Sequence, residues 1–189
     1  VQMTLWQELC QQRKNSYPFT FDRENTDEIK PQRLIEKIGE MTKGQAYVAT
    51  DVGQHQMWVA QYYPFNFGRQ IITSGGLGTM GYGIPAGIGV QFAHPDKEVI
   101  VFVGDGGFQM TNQEFAILNE FQLNVKFILI NNSSLGMVRQ WQESFHGNRR
   151  SASVFTNHPD FIKLAEAYGI KGTKLSNPAT FEAELEEAF

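Results

Sequence analysis

The sequence predicts a three-layer α/β domain, a mostly parallel sheet flanked by helices. Three observations predict it. Short apolar strands alternate with helical segments from residue 31 onward. Residues 99–103 are an unbroken apolar run, as in strands buried on both faces of a parallel sheet. Three strand-like segments end in polar or glycine-rich residues: Asp51-Val52-Gly53-Gln54-His55, Gly104-Asp105-Gly106-Gly107 and Asn131-Asn132. Ligands of open α/β sheets bind at such carboxyl edges.

The elements follow in order. Residues 1–30 are polar and irregular after a short helix around Trp6, and are expected to be a linker from an upstream domain. Residues 31–189 then form the domain itself. Pro31 sits where a helix starts, Leu34, Ile35, Ile38 and Met41 share its apolar face, and Gly44 ends it. Strands are expected over 46–50, 70–73, 98–103 and 126–130, within a sheet of about six strands. A glycine-rich turn at 74–78 leads into a small-residue helix ending near Ala93, and the glycine-rich face over 75–89 is expected to lie exposed. Thr111-Asn112-Gln113-Glu114 reads as a capping box opening a helix that ends near Phe121. Helices are expected over 136–145 and 159–168. Phe181, Leu185 and Ala188 form an apolar face opposite Glu182, Glu184, Glu186 and Glu187. A start at Val1 and a stop at Phe189 inside that pattern are expected of a piece of a larger subunit.

Composition bounds the function. With 41% hydrophobic residues the chain can bury a core. Sixteen Lys and Arg against 20 Asp and Glu give −4, so no basic excess points to nucleic acid or an anionic membrane surface. No apolar stretch approaches the roughly 20 residues that span a bilayer. The one cysteine, Cys10, forms no internal disulfide, and a cytoplasmic setting is expected.

A carboxylate directly after a buried strand is held rigidly, and its flanking glycines let a ligand approach closely. Asp105 so placed, with backbone amides and the dipole of the helix expected from Thr111, suits a diphosphate with its divalent metal. A plain Asp-Gly turn is the alternative for this segment alone. Asn131-Asn132 follows after 24 residues, between Gly106 and Asn131, at the end of the next strand. Adjacent parallel strands bring Asn132 close to Asp105, where its amide oxygen can serve a hard metal. Simple capping of the next helix is the blander reading. Gly76-Leu77-Gly78-Thr79-Met80-Gly81 fits the Gly-x-Gly-x-x-Gly dinucleotide fingerprint. The acid ending the next strand is Asp105, whose setting suits a metal rather than a ribose, so a nicotinamide cofactor is not expected.

Gly104-Asp105-Gly106 with Asn131-Asn132 at this gap resembles the signature of thiamine-diphosphate enzymes. Asp51-Val52-Gly53-Gln54-His55-Gln56-Met57-Trp58 is similar to a block of the acetohydroxyacid (acetolactate) synthase branch. So are Thr73-Ser74-Gly75-Gly76-Leu77-Gly78-Thr79-Met80-Gly81-Tyr82-Gly83 and Gly136-Met137-Val138-Arg139-Gln140-Trp141-Gln142. The likeness runs almost continuously over residues 31–189.

The resemblance implies the thiamine-diphosphate-binding fold and a set of roles. Asp105, Asn132 and the carbonyl of Ser134 bind Mg2+. Gln54 and His55 hydrogen-bond the diphosphate, with the amides of Gly106, Gly107, Leu135, Gly136 and Met137. The Gly78 carbonyl accepts from the aminopyrimidine, and Met80 wedges beneath the cofactor and keeps it bent. These two are the catalytic contacts, while the activating glutamate belongs to a separate domain across a subunit interface. Trp141 bounds the acceptor pocket and favours 2-ketobutyrate over a second pyruvate. The implied activity is decarboxylation of pyruvate and carboligation to pyruvate or 2-ketobutyrate, giving acetolactate or acetohydroxybutyrate, the first common step of branched-chain amino acid synthesis. The resemblance also implies FAD bound mainly outside this chain, a homo-oligomer (dimer or tetramer) and a possible regulatory small subunit. A pyruvate oxidase or 2-ketoacid decarboxylase shares the metal motif and is the alternative.

Overall fold

The computed structural model describes residues 3–24 and 27–189. Its sheet has four strands, all parallel: β1 (Tyr47–Thr50), β2 (Ile71–Thr73), β3 (Val99–Gly104) and β4 (Val125–Ile130), in the order β2-β1-β3-β4. Register pairs Thr50 with both Thr73 and Phe102, and Gly104 with Ile130. The carboxyl ends of β1, β3 and β4 therefore open on one edge.

Alternation along the strands divides the core into two layers. Val48, Ile100 and Phe102 pack with Ile35 and Ile38 of α2 (Pro31–Met41), Val59 of α3 (Gln54–Tyr62) and Leu185 of α9 (Phe181–Ala188). Val103 faces the other way. It joins Ile84 and Ile88 of α4 (Gly83–Ala93), Phe108 of α5 (Asp105–Thr111), Phe115 and Leu118 of α6 (Phe115–Glu120) and Ala165 of α8 (Phe161–Ala167). β3 supplies both layers, and its residues from Val99 to Val103 are fully buried. Each fully buried Val, Ile or Phe contributes roughly 1.5–3 kcal/mol of transfer free energy. This is the three-layer arrangement read from the sequence.

The connections place the site. β1 leads through α3 to β2 on one side, and β3 leads through α5 and α6 to β4 on the other. Right-handed crossovers that run in opposite directions must lie on opposite faces of the sheet. The chain therefore parts between the carboxyl ends of β1 and β3, the switch point where open α/β sheets hold ligands.

Several elements differ from expectation. The sheet has four strands among the described residues, not six. Residues 170–177 carry two lysines and a glycine but no continuous apolar run, and they stay coil. Residues 54–62 form a helix, α3, where the sequence reading assigns no element. The expected short helix near Trp6 is α1 (Thr4–Ser16), with none of its residues buried. Parts of the expected linker at residues 1–2 and 25–26 lie outside the described residues. The capping box does not form. Thr111 donates its hydroxyl to the Gly81 carbonyl at 2.9 Å and ends α5, a 3-10 turn follows at Asn112–Glu114, and the helix that ends near Phe121 is α6, opening at Phe115. The glycine-rich face over 75–89 is exposed only in part: residues 75–79 are open, whereas Gly81, Gly83 and Gly87 are buried. A Cβ on Gly83 would stand 2.6 Å from the Asp51 nitrogen, and one on Gly87 2.2 Å from Val101 Cγ2. These glycines serve close packing of α4 on β1 and β3. No helix of the described residues is long and apolar enough to cross a membrane.

Candidate functional site

The crevice at the switch point is lined by the Val52–His55 turn, Met80, residues 104–107, Ile130, Asn132 and residues 134–136. Strand ends bring these residues together. Asp105 opens α5 immediately after β3, with Gly104 extended at the helix N-cap. Gly106 and Gly107 fill the first turn and are buried. A Cβ on Gly106 would meet Leu135 Cδ2 at 2.7 Å and Met80 Cε at 3.5 Å. These glycines keep the helix N-terminus bare of side chains where a ligand would meet its amides.

Asp105 is buried, and its Oδ2 has no hydrogen-bond partner among the described residues. His158 Nε2 comes within 3.3 Å of that oxygen, but without the alignment of a hydrogen bond. Burial holds the Asp105 carboxyl above its ordinary range, and the neighbouring His158 pulls the other way. An orphaned buried carboxylate oxygen calls for a missing partner, and a cation is the natural one. Among the described residues no group of three His, Cys, Asp or Glu side chains converges. A metal here would therefore draw on Asp105 together with amide and carbonyl oxygens, the donor set of a hard cation.

Asn132 supplies such an oxygen. Its Oδ1 accepts from the amide and the hydroxyl of Ser134, both at 3.1 Å. Its Nδ2 donates to Gln54 Oε1 at 3.3 Å, and Gln54 Nε2 donates to Gln140 Oε1 at 2.9 Å. The chain turns sharply here, with Ser133 at φ +54°, and Ser134 is buried. Gly136 lies so close that a Cβ would stand 2.2 Å from Gln54 Oε1.

His55, in the first turn of α3, is buried, and its Nε2 has no hydrogen-bond partner among the described residues. Burial lowers the imidazole to about 4, against opposing attraction from Asp51. The ring is therefore neutral at pH 7, with one nitrogen free of hydrogen bonds among the described residues. A stability consequence follows. Between the ordinary value near 6.5 and about 4, the unfolded chain binds a proton that the folded chain refuses. Stability is present in full above pH 6.5 and falls by about 3 kcal/mol as the pH drops to 4. Urea midpoints at pH 7 and pH 4.5 should converge when His55→Gln is compared with the parent; an unchanged pH dependence would remove His55 as its source.

The remaining candidates sit outside the crevice. Gly78 is exposed at φ +66°, on the loop that carries Met80. Met137 and Trp141 line a separate hollow with Val138, Gln142, His146 and Arg149 on α7 (Gly136–Phe145). Trp141 is 60% exposed and stacks edge-on with Phe145. Sequence reading missed two residues of the site. Asp51 belongs to the 51–58 block, but the sequence assigns it no role. His158 lies in the loop between α7 and α8 and carries no signal in the chain.

Residues 51–189 match the family described as "Thiamine pyrophosphate enzyme, C-terminal TPP binding domain". The chain is 61% identical over 180 residues to an acetolactate synthase large subunit of Lactococcus lactis subsp. lactis (strain IL1403), covering 95% of this chain and 31% of the relative. It is 47% identical over 184 residues to the acetolactate synthase large subunit of Haemophilus influenzae, covering 97% of this chain and 32% of that one. With the acetolactate synthase isozyme 3 large subunit of Escherichia coli K12 it shares 48% over 164 residues, 87% of this chain and 29% of the relative. The chain thus spans about a third of the length of these curated relatives. A switch-point crevice with an unpartnered carboxylate, and a family match across residues 51–189, lead to one conclusion: this chain belongs to the thiamine pyrophosphate enzymes and carries their C-terminal cofactor-binding domain.

Proposed function

We propose that the full-length protein is an acetolactate synthase that condenses pyruvate with pyruvate or 2-ketobutyrate. The observation that carries this reading is the 61% identity, over 95% of the chain, to a protein named acetolactate synthase large subunit. Mg2+ would be held by Asp105, Asn132 Oδ1 and the Ser134 carbonyl, and the unpartnered Asp105 oxygen supports that assignment. Asn132 would give up its bond to the Ser134 hydroxyl to do so. Gln54, His55 and the amides of Gly106, Gly107, Leu135, Gly136 and Met137 would bind the diphosphate. The unpartnered His55 Nε2 is suited to donate to it in the tautomer that carries its proton there. The Gly78 carbonyl would accept from the aminopyrimidine, and Met80 would support the cofactor from beneath. Thiamine diphosphate, when bound, supplies the electron sink for decarboxylation. The protein's own part is to bind, orient and exclude water.

The rest of the enzyme is proposed on the same ground. An activating glutamate and an FAD site belong to segments outside this chain, which spans about a third of its relatives. The assembly is a homo-oligomer in the cytoplasm, and the words "large subunit" in the relatives' names favour a regulatory small subunit. Product analysis of the full-length enzyme with pyruvate tests the reading: acetolactate supports it, whereas acetate or acetaldehyde would assign an oxidase or decarboxylase.

Trp141 carries the specificity expectation. Its exposed indole beside Met137 and Arg149 offers an apolar wall for the acceptor's alkyl group. Fit to one methylene is worth roughly 1–3 kcal/mol. Trp141→Leu should lower the preference for 2-ketobutyrate over pyruvate by about 10-fold or more and leave pyruvate decarboxylation largely intact. Competition assays with both ketoacids read this directly, and an unchanged product ratio would place Trp141 outside the pocket.

A further inference from the structure

The most completely buried carboxylate beside the crevice is assigned no role in the reading above. Asp51 has no exposed surface. Its Oδ1 accepts from the amides of Val52 at 2.9 Å and Gly81 at 3.1 Å, and its Oδ2 accepts from the amide of Gly83 at 2.8 Å. The side chain that ends β1 thus grips a loop 30 residues downstream. Gly81 is held from its other side as well: its carbonyl accepts from the Thr111 hydroxyl at 2.9 Å. Thr111 is the last residue of α5, whose first residue is Asp105. Between the gripped Gly81, at φ +83°, and Gly78, at φ +66°, stands Met80, which lines the crevice. The same carboxylate lies under the first turn of α5, where a Cβ on Gly107 would stand 2.2 Å from Asp51 Oδ1.

A carboxylate taking three backbone N–H groups is a strong and directional anchor. It costs desolvation to bury, so its bonds must be satisfied, and here they are. Its bonds go to the adjacent Val52 amide, to the loop that presents Gly78 and Met80, and to Gly83, the first residue of α4.

We propose that Asp51 and Thr111 are positioning residues. Together they clamp the 78–83 loop between the end of β1 and the end of α5, and so fix the support for the pyrimidine half of the cofactor relative to the diphosphate half. This rests on the thiamine-diphosphate reading of the crevice. Asp51→Asn keeps the volume beneath Gly107 but turns a donor towards a backbone donor. Thr111→Val keeps shape and removes the bond to Gly81, and Thr111→Ser restores the hydroxyl.

The test uses the full-length enzyme. Hydrogen exchange of the 78–83 peptide is followed without cofactor, and binding is titrated in the presence of Mg2+ with thiamine diphosphate and, separately, with inorganic diphosphate. Asp51→Asn and Thr111→Val should each speed exchange in that peptide by about 10-fold and weaken thiamine diphosphate by about 10-fold, the factor expected of one lost buried hydrogen bond. Affinity for inorganic diphosphate should stay within a few-fold, and Thr111→Ser should recover wild-type values. Should Asp51→Asn fail to fold, Thr111→Val with its serine rescue decides alone. Wild-type exchange and affinity in Thr111→Val would overturn the proposal, and so would equal losses for both ligands. A wild-type enzyme that binds no thiamine diphosphate would overturn the cofactor reading and the clamp with it, a result distinct from a clamp that fails in an enzyme that binds.

Discussion

Replacing Asp105 by alanine should abolish magnesium-dependent binding of thiamine diphosphate in the full-length enzyme. Among the described residues, Asp105 is the only acid lining the crevice. Without it a cation would keep only neutral oxygens from Asn132 and Ser134. Loss of a partner one shell further out typically costs 10–100-fold in metal affinity, so loss of the sole charged ligand should cost at least about 100-fold. Folding should not suffer in parallel. One carboxylate oxygen of Asp105 is buried without a hydrogen bond among the described residues, so its removal relieves a desolvation cost that offsets the loss of the carboxylate's bonds from the amides of Gly106 and Ser134. Isothermal titration and thermal melting of Asp105→Ala separate the two effects. Cofactor affinity within a few-fold of the parent would show that the metal does not sit at this carboxylate.

The 189-residue chain by itself should have no acetolactate synthase activity, with or without thiamine diphosphate, Mg2+ and FAD. The proposed ligands Asp105, Asn132, Ser134, Gln54 and His55 are all present, but the resemblance matches no acid of this chain to the carboxylate that activates the aminopyrimidine. The relatives are about three times longer. Leu77, 95% exposed, and Trp141, 60% exposed, leave the loop and the hollow open to water. A bound cofactor would face solvent, which weakens every polar contact to it. Carboligation by the purified chain above the no-enzyme control, after removal of host enzyme, would mean that one of its own residues or a second copy replaces the missing acid.

The strands and the residues at their ends were legible because a buried parallel strand is a continuous apolar run. The site loops begin where such runs stop, as at Val103-Gly104-Asp105 and Ile130-Asn131-Asn132. α7 was legible to its exact ends because Gly136 and Phe145 bound an amphipathic stretch. Other features depend on tertiary partners. Thr111 has the spacing of a capping box, yet its hydroxyl finds the Gly81 carbonyl, and helix α5 starts six residues earlier. α3 carries an almost uniform polarity around its circumference, so no periodicity marked it. Asp51 reads as any acid before a glycine turn, and its bonds to Gly81 and Gly83 appear only once α4 is folded back over β1. His158 reaches Asp105 from a loop 53 residues away in sequence, a distance no local pattern spans.

The most direct measurement is a titration of the full-length protein with thiamine diphosphate, with and without Mg2+, and with NAD as the control. Saturable thiamine diphosphate binding that disappears when the metal is chelated, together with no NAD binding, is the result expected of a crevice built around Asp105, Asn132 and the bare amides of α5. Metal-independent binding, or saturable binding of NAD at the Gly76–Gly81 turn, would contradict it.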